Sequence, residues 1–264
     1  MEIFGILNVT PDSFSDGGRF VDIDTAIAHA RAMRKAGASV IDVGGESTRP
    51  GAAMISSEEE INRIAPIVKI LINEGFRVSL DTSKAKVAEV GLELGVHYIN
   101  DVTGGLGDSD MLSLLASSDV EVILMHWRGR SDVMDSLAHY DNVLQDLMTE
   151  LQSRLDAADQ VGIQRERIIL DPGFGFAKES QHNWEILANI DLLQELHPRI
   201  LLGASRKRFL QDVILVDDEA HRDFVTATIS GYAYTWNVWG VRVHNVAMTD
   251  QALRTLTRID EVAL

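Results

Sequence analysis

The stretch from residue 77 to residue 101, RVSLDTSKAKVAEVGLELGVHYIND, contains a complete strand–helix–strand unit. Two short runs, Arg77–Leu80 and Tyr98–Ile99, are typical of buried strands, and Lys84–Leu94 between them has a helical pattern of apolar residues. Consecutive strands joined by a helix run parallel and are connected by a right-handed crossover. The stretch therefore predicts one βα repeat of a parallel sheet.

The same alternation continues on both sides of this unit. Strands are predicted at Glu2–Leu7, Ser39–Val43, Arg77–Leu80, Tyr98–Ile99, Val120–Met125, Ile168–Leu170, Ile200–Leu202 and Val241–Val243. Helices are predicted at Thr25–Ala36, Glu58–Glu74, Lys84–Leu94, Asp110–Ala116, Asn142–Gly162, Trp184–Leu196, Phe224–Trp239 and Asp250–Ala263. Eight units predict an α/β fold, a (β/α)8 TIM barrel that forms a single domain over residues 1–264. The alternative is an open doubly wound sheet, but no G-x-G-x-x-G follows the first strand and no G-x-x-x-x-G-K-S/T occurs.

Composition excludes several classes of function. With 24 Lys and Arg against 40 Asp and Glu, the net charge of −16 argues against a nucleic-acid partner. The absence of cysteine excludes disulfides and cysteine metal sites. We find neither a signal peptide nor a run near the ~20 apolar residues of a membrane span, so a cytoplasmic protein without a membrane partner is expected.

Two predicted βα loops are unusually long. Residues 9–21 and 44–57 exceed the ~2–6 residues of most such loops, and both contain glycine, proline and charged residues. Since loops of this length are often lids or binding loops, we expect both to contribute to a site. Two aromatic residues in predicted loops, Phe14 and Phe176, are candidates for stacking on a flat ligand.

Polar residues follow every predicted strand, and in a barrel the carboxyl ends of the strands meet at one mouth, where active sites lie. The residues are Asn8, Glu46, Ser47, Thr48, Arg49, Asp81, Asn100, Asp101, His126, Arg128, Asp171, Ser205, Arg206, Lys207, Arg242, His244 and Asn245. Some of them, such as Asp81, have the alternative interpretation of helix caps. As a set, the carboxylates and amides suit a ligand rich in ring N–H donors, the cations suit an anion, and Asn8 suits Mg²⁺.

Arg242 and His244 are two residues apart, so both point to the same side of the last strand. An arginine inside a barrel is poorly placed without an anionic partner, and the pair therefore predicts anion binding. His126 is interpreted as a structural histidine. Trp236 and Trp239 are placed late in the seventh helix, where they would pack internally or at an oligomer contact.

Eight blocks of sequence, in order along the chain, together form a family pattern. They are Gly5–Gly18 (GILNVTPDSFSDGG), Gly44–Gly51 (GGESTRPG), Asp81-Thr82, Ile99–Val102 (INDV), Met125-His126, Asp171–Phe176 (DPGFGF), Gly203–Lys207 (GASRK) and Arg242–His244 (RVH). In these blocks, and over essentially its whole length, the chain resembles the dihydropteroate synthase family. The resemblance departs at Asn245, where the family usually has Asp, at Trp127 and at Gln211.

The resemblance implies an enzyme that joins (7,8-dihydropterin-6-yl)methyl diphosphate to 4-aminobenzoate, with Mg²⁺, through a dissociative displacement. It implies pterin binding by Asp81, Asn100, Val102, Met125, Asp171, Phe176 and Lys207, and catalytic roles for Asp81, Lys207, Arg242 and His244. It implies diphosphate binding by Asn8, Arg242 and His244, metal binding by Asn8, and aminobenzoate binding by Thr48, Arg49, Pro50 and Ser205. Sulfonamide inhibition and a homodimer are further expectations.

Three alternatives remain open on the sequence. A pterin-dependent methyltransferase would have a similar barrel, but it is not expected to combine the Ser-Thr-Arg-Pro-Gly and Ser-Arg-Lys blocks. A degenerate paralogue would bind pterins without condensing them, and Asn245 keeps this alternative open. A purely structural barrel gives no reason for polar groups at every strand end.

Overall fold

The structure is a computed structural model that describes residues 1–10, 23–47, 54–130 and 133–263. Within these residues, eight strands lie at β1 (Glu2–Asn8), β2 (Val40–Gly44), β3 (Val78–Asp81), β4 (Tyr98–Asp101), β5 (Glu121–Met125), β6 (Ile168–Asp171), β7 (Leu201–Leu202) and β8 (Gly240–Val243). All are parallel, in the order β6-β5-β4-β3-β2-β1-β8-β7. A parallel bridge between Leu170 and Ile200 joins β6 to β7 and closes the barrel. The predicted (β/α)8 architecture is confirmed.

Helices cover the outside of this barrel. In the described residues they are α1 (Ile23–Lys35), α2 (Ser57–Asn73), α3 (Ala85–Leu94), α4 (Met111–Ala116), α5 (Val143–Gln160), α6 (Ser180–Ala188), α7 (Ile190–Leu196), α8 (Glu219–Thr235) and α9 (Val246–Ala263). Short 3-10 turns lie at Met134–Leu137, Arg165–Arg167 and Arg208–Val213. None of these described helices is long and apolar enough to cross a membrane.

Local sequence explains where several helices begin and end. The Ser56 side chain accepts a hydrogen bond from the Glu59 amide and caps α2, whose first turn is acidic. Gly95, with a φ of 85°, ends α3 in the left-handed conformation that glycine adopts without strain. The predicted sixth helix is in fact two helices that meet at Asn189, because the backbone there is not helical.

The predicted position of Trp239 is wrong. Helix α8 ends at Thr235, and Trp239 directly precedes β8 at the amino-terminal end of the barrel. Its ring packs against Phe4 and Tyr98, with ring centroids 5.7 and 6.5 Å away, and the Arg199 guanidinium covers it. Because these aromatic rings fill the bottom of the barrel, its open end is the carboxyl end of the strands.

Alternation along the strands separates two cores. Side chains that point outward, such as Leu7, Val43 and Leu80, join the large core beneath the helices. Inward side chains near the strand starts, including Phe4, Tyr98 and Ile123, form a second, small core inside the barrel. Further along the same strands most inward positions are polar or charged, as at Asn8, Asp42, Asp81 and Asp171, and the carboxyl end of the strands is where barrel active sites lie.

Candidate active site

The mouth of the barrel collects polar side chains at matching levels of neighbouring strands. Along β1 to β4 the register pairs Asn8 with Gly44, Gly44 with Asp81, and Asp81 with Asn100. On the neighbouring strands β5 and β6, Met125 pairs with Asp171. A Cβ added to Gly44 would lie 3.7 Å from both Asn8 Oδ1 and Asp81 Oδ2. The glycine therefore leaves an open space between an amide oxygen and a carboxylate oxygen.

Arg242 lies beneath this layer and reaches up to two carboxylates. Its Nε donates to Asp42 Oδ2 at 2.5 Å, and its Nη2 donates to Asp81 Oδ2 at 2.6 Å. Arg242 thus has the anionic partners that an arginine inside a barrel requires, and they are two carboxylates of the protein itself. A role in diphosphate binding stays a prediction.

Asp42 is the site residue that the sequence interpretation missed. It lies in the middle of β2, is fully buried, and also faces Asn100 Nδ2 at 3.4 Å. A single charged residue inside an apolar strand was the available signal, since a buried carboxylate requires a partner.

The electrostatics of this cluster follow from burial and from an excess of negative charge. The single guanidinium of Arg242 forms ion pairs with two carboxylates, Asp42 and Asp81. Burial alone would lower the pKa of Arg242, but the two carboxylates outweigh that effect and raise it. Burial raises the pKa of Asp81 to about 7, against the attraction of Arg242 and with the help of the Asp42 charge.

Asp171, Lys207 and Phe176 come together on the opposite wall. Asp171 Oδ1 accepts a hydrogen bond from the Gly173 amide at 2.7 Å, and burial raises its pKa. The Lys207 Nζ lies 4.0 Å from the centre of the Phe176 ring, in a cation–π contact. Burial lowers the pKa of Lys207 to about 8, while the Asp171 charge opposes that shift. The arrangement places an acceptor, a cation and an aromatic ring in one pocket.

The other predicted pterin residues lie at the same end of the barrel. Asn100 and Met125 are buried at the ends of β4 and β5. Val102 is half-buried in the turn directly after β4. The structure thus brings the predicted residues to one end of the barrel, and their contact with a pterin stays a prediction.

Ser205 and His244 are in direct contact. The Ser205 hydroxyl accepts a hydrogen bond from the His244 amide at 3.1 Å and lies 3.0 Å from His244 Nδ1. The Ser205 hydroxyl oxygen therefore holds both the backbone and the ring of His244, and the direction of its bond to Nδ1 follows the ring tautomer. A residue predicted for aminobenzoate therefore orients one predicted for diphosphate.

Asn245 has a structural role that its side-chain amide explains. Its Nδ2 donates to Asp223 at 3.0 Å, and its Oδ1 accepts from the Met248 amide in the first turn of α9. Asp223 also accepts two hydrogen bonds from the Arg206 guanidinium. Arg206 lies between Ser205 and Lys207 in the chain, and its backbone is left-handed, with a φ of 58°. The amide thus links the loops after β7 and β8, a bond that an ionised aspartate could not donate.

The loop after β2 is anchored at its described ends. Glu46 Oε1 accepts from the Ile55 amide at 2.7 Å, and Lys84 bridges Glu46 and buried Glu60 at 2.9 and 2.6 Å. Four predicted site residues, Phe14, Thr48, Arg49 and Pro50, lie outside the described residues. His126 is buried and held by Glu150, as expected of a structural histidine.

Comparisons with known proteins agree with this fold. The model of the pterin binding enzyme family matches residues 4–244. The dihydropteroate synthase of Mycobacterium leprae is 43% identical, covering 97% of this chain and 92% of the relative. That of Clostridium beijerinckii is also 43% identical, covering 96% and 91%.

Solved structures agree as well. The Clostridium difficile dihydropteroate synthase, solved in the presence of pteroic acid, superposes with a TM-score of 0.90 at 40% identity and covers 98% of this chain and 96% of its own. The Xanthomonas albilineans enzyme in complex with 7,8-dihydropteroate gives a TM-score of 0.87 at 33% identity, with coverages of 98% and 93%. The chain therefore belongs to the dihydropteroate synthase family of pterin-binding (β/α)8 barrels.

Proposed function

We propose that this chain, as one domain over residues 1–264, condenses (7,8-dihydropterin-6-yl)methyl diphosphate with 4-aminobenzoate to give 7,8-dihydropteroate and diphosphate. The observation that carries the proposal is the pocket at the mouth, where acceptors on Asp171, Asp81 and Asn100 face a region that also holds Lys207 and Phe176. Relatives of the same fold support it, since one was solved with 4-aminobenzoate and another with 6-hydroxymethylpterin-monophosphate.

The chemistry requires charge stabilisation more than proton transfer. The bond between the pterin methylene carbon and the diphosphate oxygen breaks first, and the pterin ring delocalises the resulting cation. The Asp81 carboxylate stabilises this cation, while Arg242 and His244 compensate the charge on the departing diphosphate. The aromatic amine, which is already neutral, then forms the C–N bond and releases a proton, so no strong base is needed.

The residues present fit a Mg²⁺ ion that arrives with the substrate. Among the described residues, no group of three His, Cys, Asp or Glu side chains could hold a metal alone. Asn8 Oδ1 offers one hard oxygen ligand beside Asp81, at the open space above Gly44. When bound, the ion would neutralise charge on the diphosphate oxygens.

Aminobenzoate is assigned to the side of the mouth formed by Ser205, together with Thr48, Arg49 and Pro50. A Yersinia pestis relative was solved with a sulfonamide drug. Because sulfonamides have the shape and charge of aminobenzoate, we expect them to compete for this side of the site.

Diphosphate release tests the proposed function directly. The protein is mixed with the pterin diphosphate and Mg²⁺, with and without 4-aminobenzoate, and both diphosphate and dihydropteroate are measured. We expect release that depends on aminobenzoate, with equal amounts of the two products. Tight pterin binding without release would instead favour the degenerate paralogue, and methyl transfer from a methylated folate would favour the methyltransferase.

The pKa values of Asp81 and Lys207 predict a narrow pH optimum. Asp81 must be ionised to stabilise a cation, so kcat/KM falls as the pH drops below about 7. Lys207 must be protonated to act as the cation of the pterin pocket, so kcat/KM falls again as the pH rises above about 8. Rates measured from pH 5.5 to pH 10 check this. In Lys207→Arg the alkaline limb should disappear, and a flat profile in the unaltered enzyme would contradict the assignments.

An apolar face on α8 supports a homodimer. Phe224 and Tyr232 lie eight residues apart on one face of the helix, and Trp236 follows directly after its end. All three are exposed, at 66, 39 and 41%. Exposed aromatic patches commonly mark protein contacts, and a short-range apolar contact is what two copies with a net charge of −16 require.

Light scattering after size exclusion tests the homodimer. We expect the unaltered protein to elute with the mass of two chains and Phe224→Glu to elute as a monomer. Val161→Glu, at another exposed position, is the control and should remain dimeric. A monomeric unaltered protein would refute the homodimer without affecting the proposed reaction.

A further inference from the structure

The loop after β6 wraps around a buried ammonium group that the proposed reaction does not use. Lys178 is only 8% exposed, and this burial lowers the pKa of its amino group to about 7 against the attraction of Asp171, so the ammonium form predominates below pH 7. Its Nζ lies 2.9 Å from His126 Nδ1, 3.0 Å from the Gly173 carbonyl oxygen and 3.1 Å from the Phe176 carbonyl oxygen. These three acceptors match the three N–H donors of an ammonium group. The loop supplies two of them from its own backbone.

The backbone of this loop is strained in a way that such a cation can stabilise. Gly173, Gly175 and Ala177 have positive φ values of 67°, 72° and 47°. These backbone angles turn the carbonyl groups of residues 173 and 176 toward the same atom, Lys178 Nζ. Without a cation between them, the partial negative charges of the two oxygens would repel each other. Glycine adopts such angles without strain, but a left-handed alanine is strained because its Cβ crowds the following carbonyl oxygen. The ammonium between the carbonyls offsets this strain and the repulsion.

The same loop carries two groups of the pterin pocket. The Gly173 amide donates to Asp171 Oδ1 at 2.7 Å, and the Phe176 ring contacts Lys207 Nζ at 4.0 Å. Resting on the pterin site proposed above, we infer that Lys178 is a positioning residue. Its ammonium holds the loop so that Asp171 and Phe176 are placed for the pterin.

A chain of partners outside the pocket holds Lys178 in turn. Because His126 Nδ1 accepts from Lys178, the ring proton lies on Nε2, which donates to Glu150 at 2.9 Å. Arg128 Nη2 donates to the same carboxylate at 2.5 Å. Burial and the Lys178 charge lower the pKa of His126 to about 4, so the ring is neutral, as this arrangement requires. The network extends from α5 to the pocket wall.

The absence of cysteine from this chain permits a test of the ammonium itself. Lys178→Cys creates the single thiol, which is alkylated in the unfolded chain before refolding. Reaction with 2-bromoethylamine gives a side chain of lysine length that ends in an ammonium group. Reaction with 1-bromopropane gives one of the same length that ends in a methyl group. The pair differs only in the group that the loop surrounds.

Calorimetry with 6-hydroxymethylpterin monophosphate measures the effect on the pterin site. We expect the aminoethyl form to bind about as tightly as the unaltered protein, and the propyl form to bind about 10- to 100-fold more weakly, because it leaves buried carbonyl groups without donors. The KM for the pterin substrate should rise in the propyl form, while the KM for aminobenzoate should stay unchanged. Exposed Lys86, changed to Cys and alkylated with both reagents, controls for the procedure.

Equal pterin affinity in the two alkylated forms would overturn the inference, as would an equal rise of both KM values, which indicates a general structural role. If the unaltered protein binds no pterin, the proposed function fails instead. Should neither form refold, the ring nitrogens of His126 are measured by NMR in the unaltered protein. A proton on Nε2 supports the ammonium contact, and a proton on Nδ1 excludes it.

Discussion

Replacing Arg242 with alanine is expected to lower kcat about 10²–10³-fold, the loss typical of a removed charge-stabilising donor. The guanidinium that joins Asp42 to Asp81 would be absent, so two buried carboxylates would face each other without a counter-charge. Since the attraction of Arg242 lowers the pKa of Asp81, its loss raises that pKa further, and the carboxylate becomes protonated at neutral pH. The variant would therefore lose both the cation and the ionised form of Asp81.

Diphosphate release in the steady state measures the loss, and a second variant separates it from unfolding. Removing one member of a buried ion pair commonly costs about 3–5 kcal/mol of folding free energy. In the double variant Asp42→Asn, Arg242→Ala the excess charge is smaller, so we expect stability to recover in urea unfolding while kcat stays low. Arg254→Ala, which removes a largely exposed arginine on α9, is the control. Near-normal turnover in Arg242→Ala would refute the catalytic assignment.

Replacing Asp171 with asparagine is expected to abolish detectable pterin binding while the barrel stays folded. The new side chain can still accept from the Gly173 amide through its oxygen. Its amide nitrogen, however, presents N–H donors where the proposed ligand also presents donors. Sites built to hydrogen-bond a polar ligand discriminate by as much as about 10⁴-fold when the partner is mismatched.

The substitution acts on Lys207 as well. The Asp171 charge raises the pKa of Lys207 against the effect of burial, so its removal lowers that pKa from about 8. Titration calorimetry with 6-hydroxymethylpterin monophosphate checks the prediction, and thermal unfolding shows whether the fold is retained. Asp191→Asn, at an exposed position in α7, is the matched control. Unchanged pterin affinity in Asp171→Asn would remove this carboxylate from the site.

The sequence predicted the architecture because the relevant signals are local. Each strand is a short apolar run and each helix a periodic one, and strict alternation leaves parallel strands whose carboxyl ends must meet. That rule alone placed Asp81, Asn100, Asp171 and Lys207 at one end of the barrel. The family resemblance supplied the expected reaction and the expected roles of these residues, which the strand pattern alone does not give. The predicted bounds of α8, Phe224–Trp239, were wrong, since the helix spans Glu219–Thr235. Tertiary contacts, and not helical periodicity, decide where Trp239 lies.

Tertiary structure decided which charges meet. Arg242 pairs with Asp42 and Asp81, from which it is separated by 200 and 161 residues. Lys178 meets His126 across 52 residues, and Ser205 meets His244 across 39. These contacts depend on the register of the closed barrel and on how deeply each side chain is buried. A sequence pattern reports the face on which a residue lies, but burial and neighbouring charges set its partner and its pKa.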